Sequence, residues 1–238
     1  MSLSPFQFKQ FSVGQDRCAM KIGTDGVLLG AWAPIEHAPN SILDVGAGTG
    51  VIALQLAQRS NASLIDAIEI DEDAYEQCTE NFEESPWNDR LFCYHASFQE
   101  FVSEIDEQYD LIVSNPPFYS EDYKTRNPAR NKARFSEALP TEHLINGAAL
   151  LLSERGVFAT IIPESSIITF LDIAKKAGFY LNKLVSVKGT PNSPIKRYLL
   201  ALSFKKTAFK EQSLIIETKR HDYTKEYLNL VQDFYLKM

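Results

Sequence analysis

The chain has little cysteine, histidine or tryptophan, and no long apolar run. Its 238 residues contain 3 Cys, 4 His and 2 Trp. Cys18, Cys78 and Cys93 are odd in number and widely spaced, which argues against a disulfide framework or a zinc-binding cysteine pair and fits reduced packing thiols. His37, His95, His143 and His221 show no metal-ligand spacing, so no metal is expected. No stretch approaches the roughly 20 apolar residues of a membrane helix, so no membrane association is expected. Met1 to Gln7 has no basic region leading into an apolar segment, so no secretion signal is expected and a cytoplasmic location is. Repeats and low-complexity tracts are absent too, and nothing signals an oligomer, so a monomer is expected.

What is present is an ordinary globular composition, 45% hydrophobic and 23% charged. A chain of this length buries roughly 70% or more of its unfolded surface and needs no disulfide or metal to hold a core. The net charge of -7 argues weakly against nucleic acid as a partner, but it hides an asymmetry. Residues 66–110 hold 15 Asp/Glu and one basic residue, Arg90. Residues 173–210 hold nine Lys/Arg and no acid, and residues 124–134 hold five basic residues and no acid. Such segregation can place a basic face on an acidic protein, and a polyanion responds to the local potential. A plain solvated surface would show charge runs as well.

From residue 41 onward, strands alternate with helices. Apolar runs at 41–45, 64–70, 91–95, 109–114 and 156–162 read as strands. Residues 51–58, 71–82, 141–152 and 165–177 read as helices, with Asp71 and Ser97 as N-caps. This alternation implies βαβ units in a Rossmann-like, doubly wound α/β fold with a mostly parallel sheet. Residues 179–188 and 195–204 are joined by a connection too short for a crossover, so they form an antiparallel C-terminal hairpin. Residues 214–216 suggest a further strand and 224–235 a closing helix. Residues 1–40 do not fit the alternation. They read as an N-terminal extension packing over the ligand edge, with 25–32 helical, and residues 41–238 form the main domain.

Right-handed crossovers bring the ends of the first four strands to one edge, where open α/β sheets bind ligands. That edge carries Asp44-Val45-Gly46-Ala47-Gly48-Thr49-Gly50. The spacing is Gly-x-Gly-x-Gly, and Val51 stands where a dinucleotide fingerprint wants its third glycine. Such a loop suits a ligand with no pyrophosphate: a ribose, an amino-acid tail and a sulfonium, as in S-adenosylmethionine. Asp44 would face the ammonium of the tail. Glu69, at the end of the second strand, would accept from the ribose hydroxyls, as the acid does in nucleotide-binding sheets.

The same edge carries Asn115-Pro116-Pro117-Phe118. Alone, Asn-Pro-Pro is usually a turn. After a buried strand, the fourth in a series whose first ends at Gly46–Gly50, it suits chemistry on a planar exocyclic amine. The lone pair of such an amine is delocalised into the ring. The Asn115 side-chain oxygen and the Pro116 carbonyl would hold its hydrogens, two prolines would stiffen the turn, and Phe118 would stack on the base. The gain is positioning and electrostatic support for the nitrogen as it becomes positive. No strong base is needed, because the methylated amine loses its proton readily.

These residues resemble class I S-adenosylmethionine-dependent methyltransferases. With Phe8-Lys9-Gln10-Phe11, residues 20–32 (including Lys21-Ile22-Gly23-Thr24-Asp25-Gly26), Ile68-Glu69-Ile70-Asp71, Ala129–Arg134 and Lys196–Leu199, the resemblance extends over most of the chain. It points to the bacterial family that methylates the exocyclic amine of the adenosine just 3′ of the anticodon in a valine tRNA. The resemblance implies a cofactor pocket lined by Lys21, Thr24, Asp25, Asp44, Gly46, Gly48, Gly50, Glu69, Ile70, Ser97, Phe98 and Asn115. It implies RNA contacts from Tyr119, Lys124, Arg126, Arg130, Lys132, Arg134, Lys196 and Arg197. Related enzymes usually carry an acid near the cofactor adenine where this chain has Ser97. One hydrogen bond from Ser97 and stacking by Phe98 are the expected substitutes.

Three other readings stay open. A glutamine methyltransferase acting on a release factor needs similar acceptors, but usually ends the motif in Tyr and carries a helical N-terminal domain, for which the segment 1–40 is too short. The others are a guanine amino-methyltransferase acting on ribosomal RNA and a non-catalytic Rossmann-type module that binds RNA.

Overall fold

The computed structural model describes residues 4–116 and 139–237. Its centre is an eight-stranded sheet. The strands are β3 (Ser41–Val45), β4 (Leu64–Glu69), β5 (Leu91–His95), β6 (Tyr109–Ser114), β7 (Leu152–Pro163), β8 (Tyr180–Lys188), β9 (Ile195–Ser203) and β10 (Lys210–Ile215). They lie in the order β10-β8-β9-β7-β6-β3-β4-β5. β3 pairs in parallel with both β4 and β6, so the order reverses there and opens a crevice. The expected antiparallel hairpin is β8–β9, and β9 also runs antiparallel to β7. β10 is the suggested extra strand and pairs in parallel with β8.

The parallel strands are covered on both faces, which is why they read as near-continuous apolar runs. One core lies under α1 (Thr24–Trp32), α2 (Val51–Arg59), α3 (Glu72–Glu83) and α7 (Lys225–Val231). The other lies under α4 (Phe98–Glu104), α5 (Thr141–Leu151) and α6 (Ile167–Lys176). Local chemistry sets the helix starts. The Asp71 carboxylate accepts from the Ala74 amide at 2.9 Å, and Glu72 and Asp73 complement the positive end of α3. Ser97 and Glu100 form a capping box on α4. Arg90 ends α2 by donating to the Ala57, Ser60 and Ala62 carbonyls.

The N-terminal segment threads into the same core as the sheet. β1 (Phe6–Gln7) and β2 (Ser12–Val13) form a small hairpin. Residues 26–32 of α1 are all buried, so α1 has no polar face of its own and is held by packing on α2, β7 and α7. The closing helix is shorter than expected. It ends at Val231 because Phe8 bridges Tyr235 and the Lys9 amide donates to the Phe234 carbonyl at 2.8 Å. The chain end is thereby recruited to pair with the N-terminal hairpin. Among the described residues, no helix is long and apolar enough to cross a membrane.

Candidate active site

The glycine loop leaves β3 and turns over the end of β4. The Gly46 and Ala47 amides both donate to the Ile68 carbonyl, at 2.9 and 3.0 Å. Gly46, Gly48 and Gly50 all have positive φ, 75°, 55° and 75°, a region costly for other residues. They differ in what surrounds them. A Cβ on Gly46 or Gly48 would meet nothing within 4 Å, whereas on Gly50 it would stand 2.6 Å from Phe82 Cε1 and 2.8 Å from Cys78 Sγ. The first two leave an open cradle; the third lets α2 start close against α3.

Glu69 braces this cradle. Its Oε2 accepts from the Gly48 amide at 2.8 Å, and its Oε1 accepts from the Ile70 and Asp71 amides at 2.9 and 3.0 Å. The carboxylate is mostly buried, and its remaining lone pairs can take ligand hydroxyls. Asp44 is fully buried below the loop. Its Oδ2 accepts from the Ala53 amide at 3.2 Å, and its Oδ1 has no partner among the described residues. Burial pushes the Asp44 carboxyl up to about 7, with Glu69 adding to the rise and the Ala53 amide opposing it. A buried acceptor without a partner is costly; a cationic group or an ordered water satisfies it.

Asn115 and Pro116 follow β6 at the same edge. Two buried hydroxyls fix the strand ends below them: Ser114 Oγ donates to the Val45 carbonyl and Thr160 Oγ1 to the Ser114 carbonyl, both at 2.8 Å. β3, β6 and β7 are thus tied together directly under Asn115. The first turn of α1 closes the other side. A Cβ on Gly26 would lie 4.0 Å from Asn115 Nδ2 and 3.5 Å from Val51 Cγ1. The amine-type motif, the glycine loop and the N-terminal helix therefore meet.

The segment before α1 is strapped across α3. Asn81 accepts from the Gly14 amide at 2.7 Å and donates to the carbonyls of Gly14 and Thr49 at 3.0 and 2.9 Å. It joins the strap to the glycine loop. Arg17 pairs with Glu76 and Glu80. Sequence reasoning misses Asn81, which is one polar residue in a polar helix. Its one distinguishing mark is a place on the inner side of α3, beside Cys78 and Phe82.

The other expected site residues stand exposed or engage protein partners. Lys21 is exposed and donates to the carbonyls of its own strap, Gln15, Asp16 and Cys18. Thr24 is exposed at the start of α1. Asp25, expected at the cofactor, and Arg197, expected at the RNA, pair with each other, with Nε 2.7 Å from Oδ2. Lys196 is exposed at the start of β9. Ile70 is exposed beyond β4, with its carbonyl 3.1 Å from His95 Nε2. The Ser97 hydroxyl is taken up by Glu100 at 2.7 Å. Phe98 lies in the second core, where its ring fills the space a Cβ on Gly147 would occupy. That packing withdraws Phe98 from the expected adenine stack. Pro117, Phe118, Tyr119, Lys124, Arg126, Arg130, Lys132 and Arg134 lie outside the described residues.

The arrangement fits S-adenosylmethionine. An open glycine cradle faces a braced carboxylate suited to ribose hydroxyls, and the unpartnered Asp44 oxygen suits the positive tail. Comparison with known proteins agrees. The model of the methyltransferase small domain family matches residues 27–165. A protein of Christiangramia forsetii named tRNA1(Val) (adenine(37)-N6)-methyltransferase is 61% identical over 100% of both chains. A Flavobacterium psychrophilum protein of the same name is 60% identical over 98% of this chain and 100% of its own length. Among solved structures, a predicted O-methyltransferase of Agrobacterium tumefaciens shares the fold, with TM-score 0.67 and 18% identity over 88% of this chain and 96% of that one. The chain belongs to the methyltransferase small domain family, within the group of full-length relatives named tRNA1(Val) (adenine(37)-N6)-methyltransferase.

Proposed function

We propose that this protein methylates the exocyclic amine of the adenosine just 3′ of the anticodon of a valine tRNA, acting as a monomer in the cytoplasm. The observation that carries the reading is the meeting of Asn115-Pro116 with the glycine cradle and Glu69 at one sheet edge. The full-length relatives supply the choice of base and tRNA. When bound, S-adenosylmethionine supplies an electrophilic methyl group. Glu69, Gly46, Gly48 and Asp44 hold its ribose and amino-acid ends, with Ile70 beside the adenine. The Asn115 side-chain oxygen and Pro116 carbonyl accept the two amine hydrogens, which lets the nitrogen become more tetrahedral and frees its lone pair from conjugation with the ring as it attacks. Rigidity matters here, because neutral acceptors contribute mainly by position.

The test is transfer of labelled methyl from S-adenosylmethionine to tRNA lacking its natural methylation, followed by nucleoside analysis. Methyladenosine confined to one tRNA is expected. Label on protein would point to the glutamine reading and label on guanosine to the ribosomal one. No transfer at all would favour a binding module.

The Asp44 carboxyl makes cofactor affinity depend on pH. A positive tail beside Asp44 favours its ionised form. Below about 7 the carboxyl must release a proton to bind, so affinity rises with pH and levels off above that value. Between pH 6 and 7, below the range of about 7.7–8.0 where a free α-amino group titrates, affinity is expected to increase roughly fivefold. Calorimetric titration across that window measures it, and Asp44→Asn should flatten the profile. The sign for the unliganded fold is opposite. The folded state holds this proton more tightly than the unfolded chain, so stability falls as pH rises from about 4 through 7.

A further inference from the structure

A second basic feature reaches the catalytic edge from a part of the sequence that carries no motif. β10 runs parallel to β8, so its end emerges on the same edge as the ends of β3 and β6. There the chain stays tied to the turn after β8: the Ile216 amide donates to the Lys188 carbonyl at 3.0 Å and the Glu217 amide to the Gly189 carbonyl at 2.9 Å. It then folds into a small hairpin, β11 (Glu217–Lys219) against β12 (Asp222–Tyr223). The tip is Lys219-Arg220-His221, all exposed.

This tip is held rigidly. Thr218 Oγ1 donates to Asp222 Oδ2 at 2.8 Å and to the Asp222 carbonyl at 3.1 Å. The His221 amide donates to Glu217 Oε1 at 3.3 Å. The two acids of the hairpin are thus engaged in bracing it. His221 has φ 64°, a left-handed conformation that costs a non-glycine residue about 1–2 kcal/mol. A tight hairpin turn ordinarily uses a left-handed residue of this kind. Lys188 at the end of β8 and Lys196 at the start of β9 stand on the same edge. Among the described residues, none of Lys188, Lys196, Lys219 and Arg220 lies within 4.0 Å of a carboxylate.

Between β6 and β10 the sheet has four strand spacings, or about 19 Å at ~4.8 Å each. That is roughly five nucleotides of a stacked strand at ~3.4 Å per nucleotide. A strand running from a base held at Asn115 toward β10 would pass Lys196 and Lys188 on its way to the hairpin. We propose that the β11–β12 hairpin is a phosphate-binding finger. On this reading, Lys219 and Arg220 grip the RNA backbone several nucleotides from the target and fix the register in which the adenosine reaches Asn115. The inference rests on the tRNA reading of the site, since the partner is the strand that carries the target base. Phosphate contacts position without reading sequence, so the hairpin acts on affinity and register and leaves the chemistry to Asn115.

The test compares the full chain with the double variants K219E/R220E and K219A/R220A, using unmethylated tRNA and a single-stranded oligonucleotide with about two nucleotides on each side of the target adenosine, too few to reach the hairpin at ~3.4 Å per nucleotide. The charge-reversed variant is expected to raise KM for tRNA at least about tenfold. The slope of log KM against log salt should fall by roughly 1.5, as two phosphate contacts imply. Turnover at saturation should fall by less than KM rises, as loss of register alone implies, and cofactor affinity should stay unchanged, showing that the variant folds. The alanine pair should give a smaller shift of the same sign, and the oligonucleotide should not distinguish the proteins. Unchanged KM and salt slope with active wild-type enzyme would overturn the finger and leave the tRNA reading standing. Wild-type RNA kinetics with loss of binding to an acidic protein would overturn it in favour of a protein contact. Absence of any RNA methylation by the wild type would remove both.

Discussion

Asn115→Ala is expected to lower turnover by at least about 10²- to 10³-fold, the effect of removing one preorganised polar group from a transition state, while cofactor affinity stays within about twofold. The split follows from position. Asn115 stands at the end of β6, above the Ser114 and Thr160 hydroxyls that tie three strand ends together. The cradle and Glu69 are built from β3 and β4 and do not need its amide. Losing an acceptor that strengthens only as the nitrogen becomes tetrahedral lowers kcat and kcat/KM together. Asn115→Asp separates geometry from charge. It keeps an acceptor oxygen in place but loses the amide nitrogen that faces Gly26, and it adds a charge beside the incoming positive methyl donor. Partial activity is expected from it, with a tighter apparent cofactor affinity. Single-turnover transfer and cofactor titration on the same preparations check both variants. A near-normal rate in Asn115→Ala would remove Asn115 as the amine acceptor.

Much of this edge is legible in the sequence because its signals are local. Apolar runs such as Leu111-Ile112-Val113 read as strands because both sheet faces bury them. Asp71 and Ser97 declare their caps within the first turn of the helix that follows. The glycine loop follows from the tight turn between β3 and α2. What stays hidden depends on partners distant in sequence. Phe98 follows the position of an adenine contact, yet its ring belongs to Gly147 on α5. Asp25 and Arg197 each suggest a ligand, and they pair across 172 positions. Lys21 suggests the cofactor and folds back on its own strap. Helix α1 reads as part of an appendage because residues 1–40 precede the strand–helix alternation, and it carries two glycines that weaken its propensity. In the fold those glycines permit close packing: a Cβ on Gly30 would stand 2.3 Å from Gln55 Oε1. Tertiary packing overrides the local preference there.

Glu69→Ala should weaken cofactor binding by about 10²-fold or more, if each of two ribose hydrogen bonds to a charged acceptor contributes about 1.5–3 kcal/mol. The larger point is that Glu69 has a structural task beside the proposed ribose contact. Its carboxylate accepts three backbone amides, from Gly48 on one side and from Ile70 and Asp71 on the other. Removing it leaves those amides without their acceptor and frees the loop whose positive-φ glycines form the cradle. Glu69→Gln distinguishes the tasks from simple charge. Glutamine has the same shape, but one end is an NH2 donor. Whichever way the amide turns, that end faces a backbone N–H, either Gly48 or the Ile70/Asp71 pair. Glutamine is therefore expected to lose nearly as much affinity as alanine, in contrast to an exposed carboxylate whose isostere is usually tolerated. Hydrogen exchange at the Gly48 and Ile70 amides of the unliganded variants should rise in both. Near-wild-type cofactor affinity in Glu69→Gln would show that the carboxylate does not brace the cradle and that its placement beside the ribose is wrong.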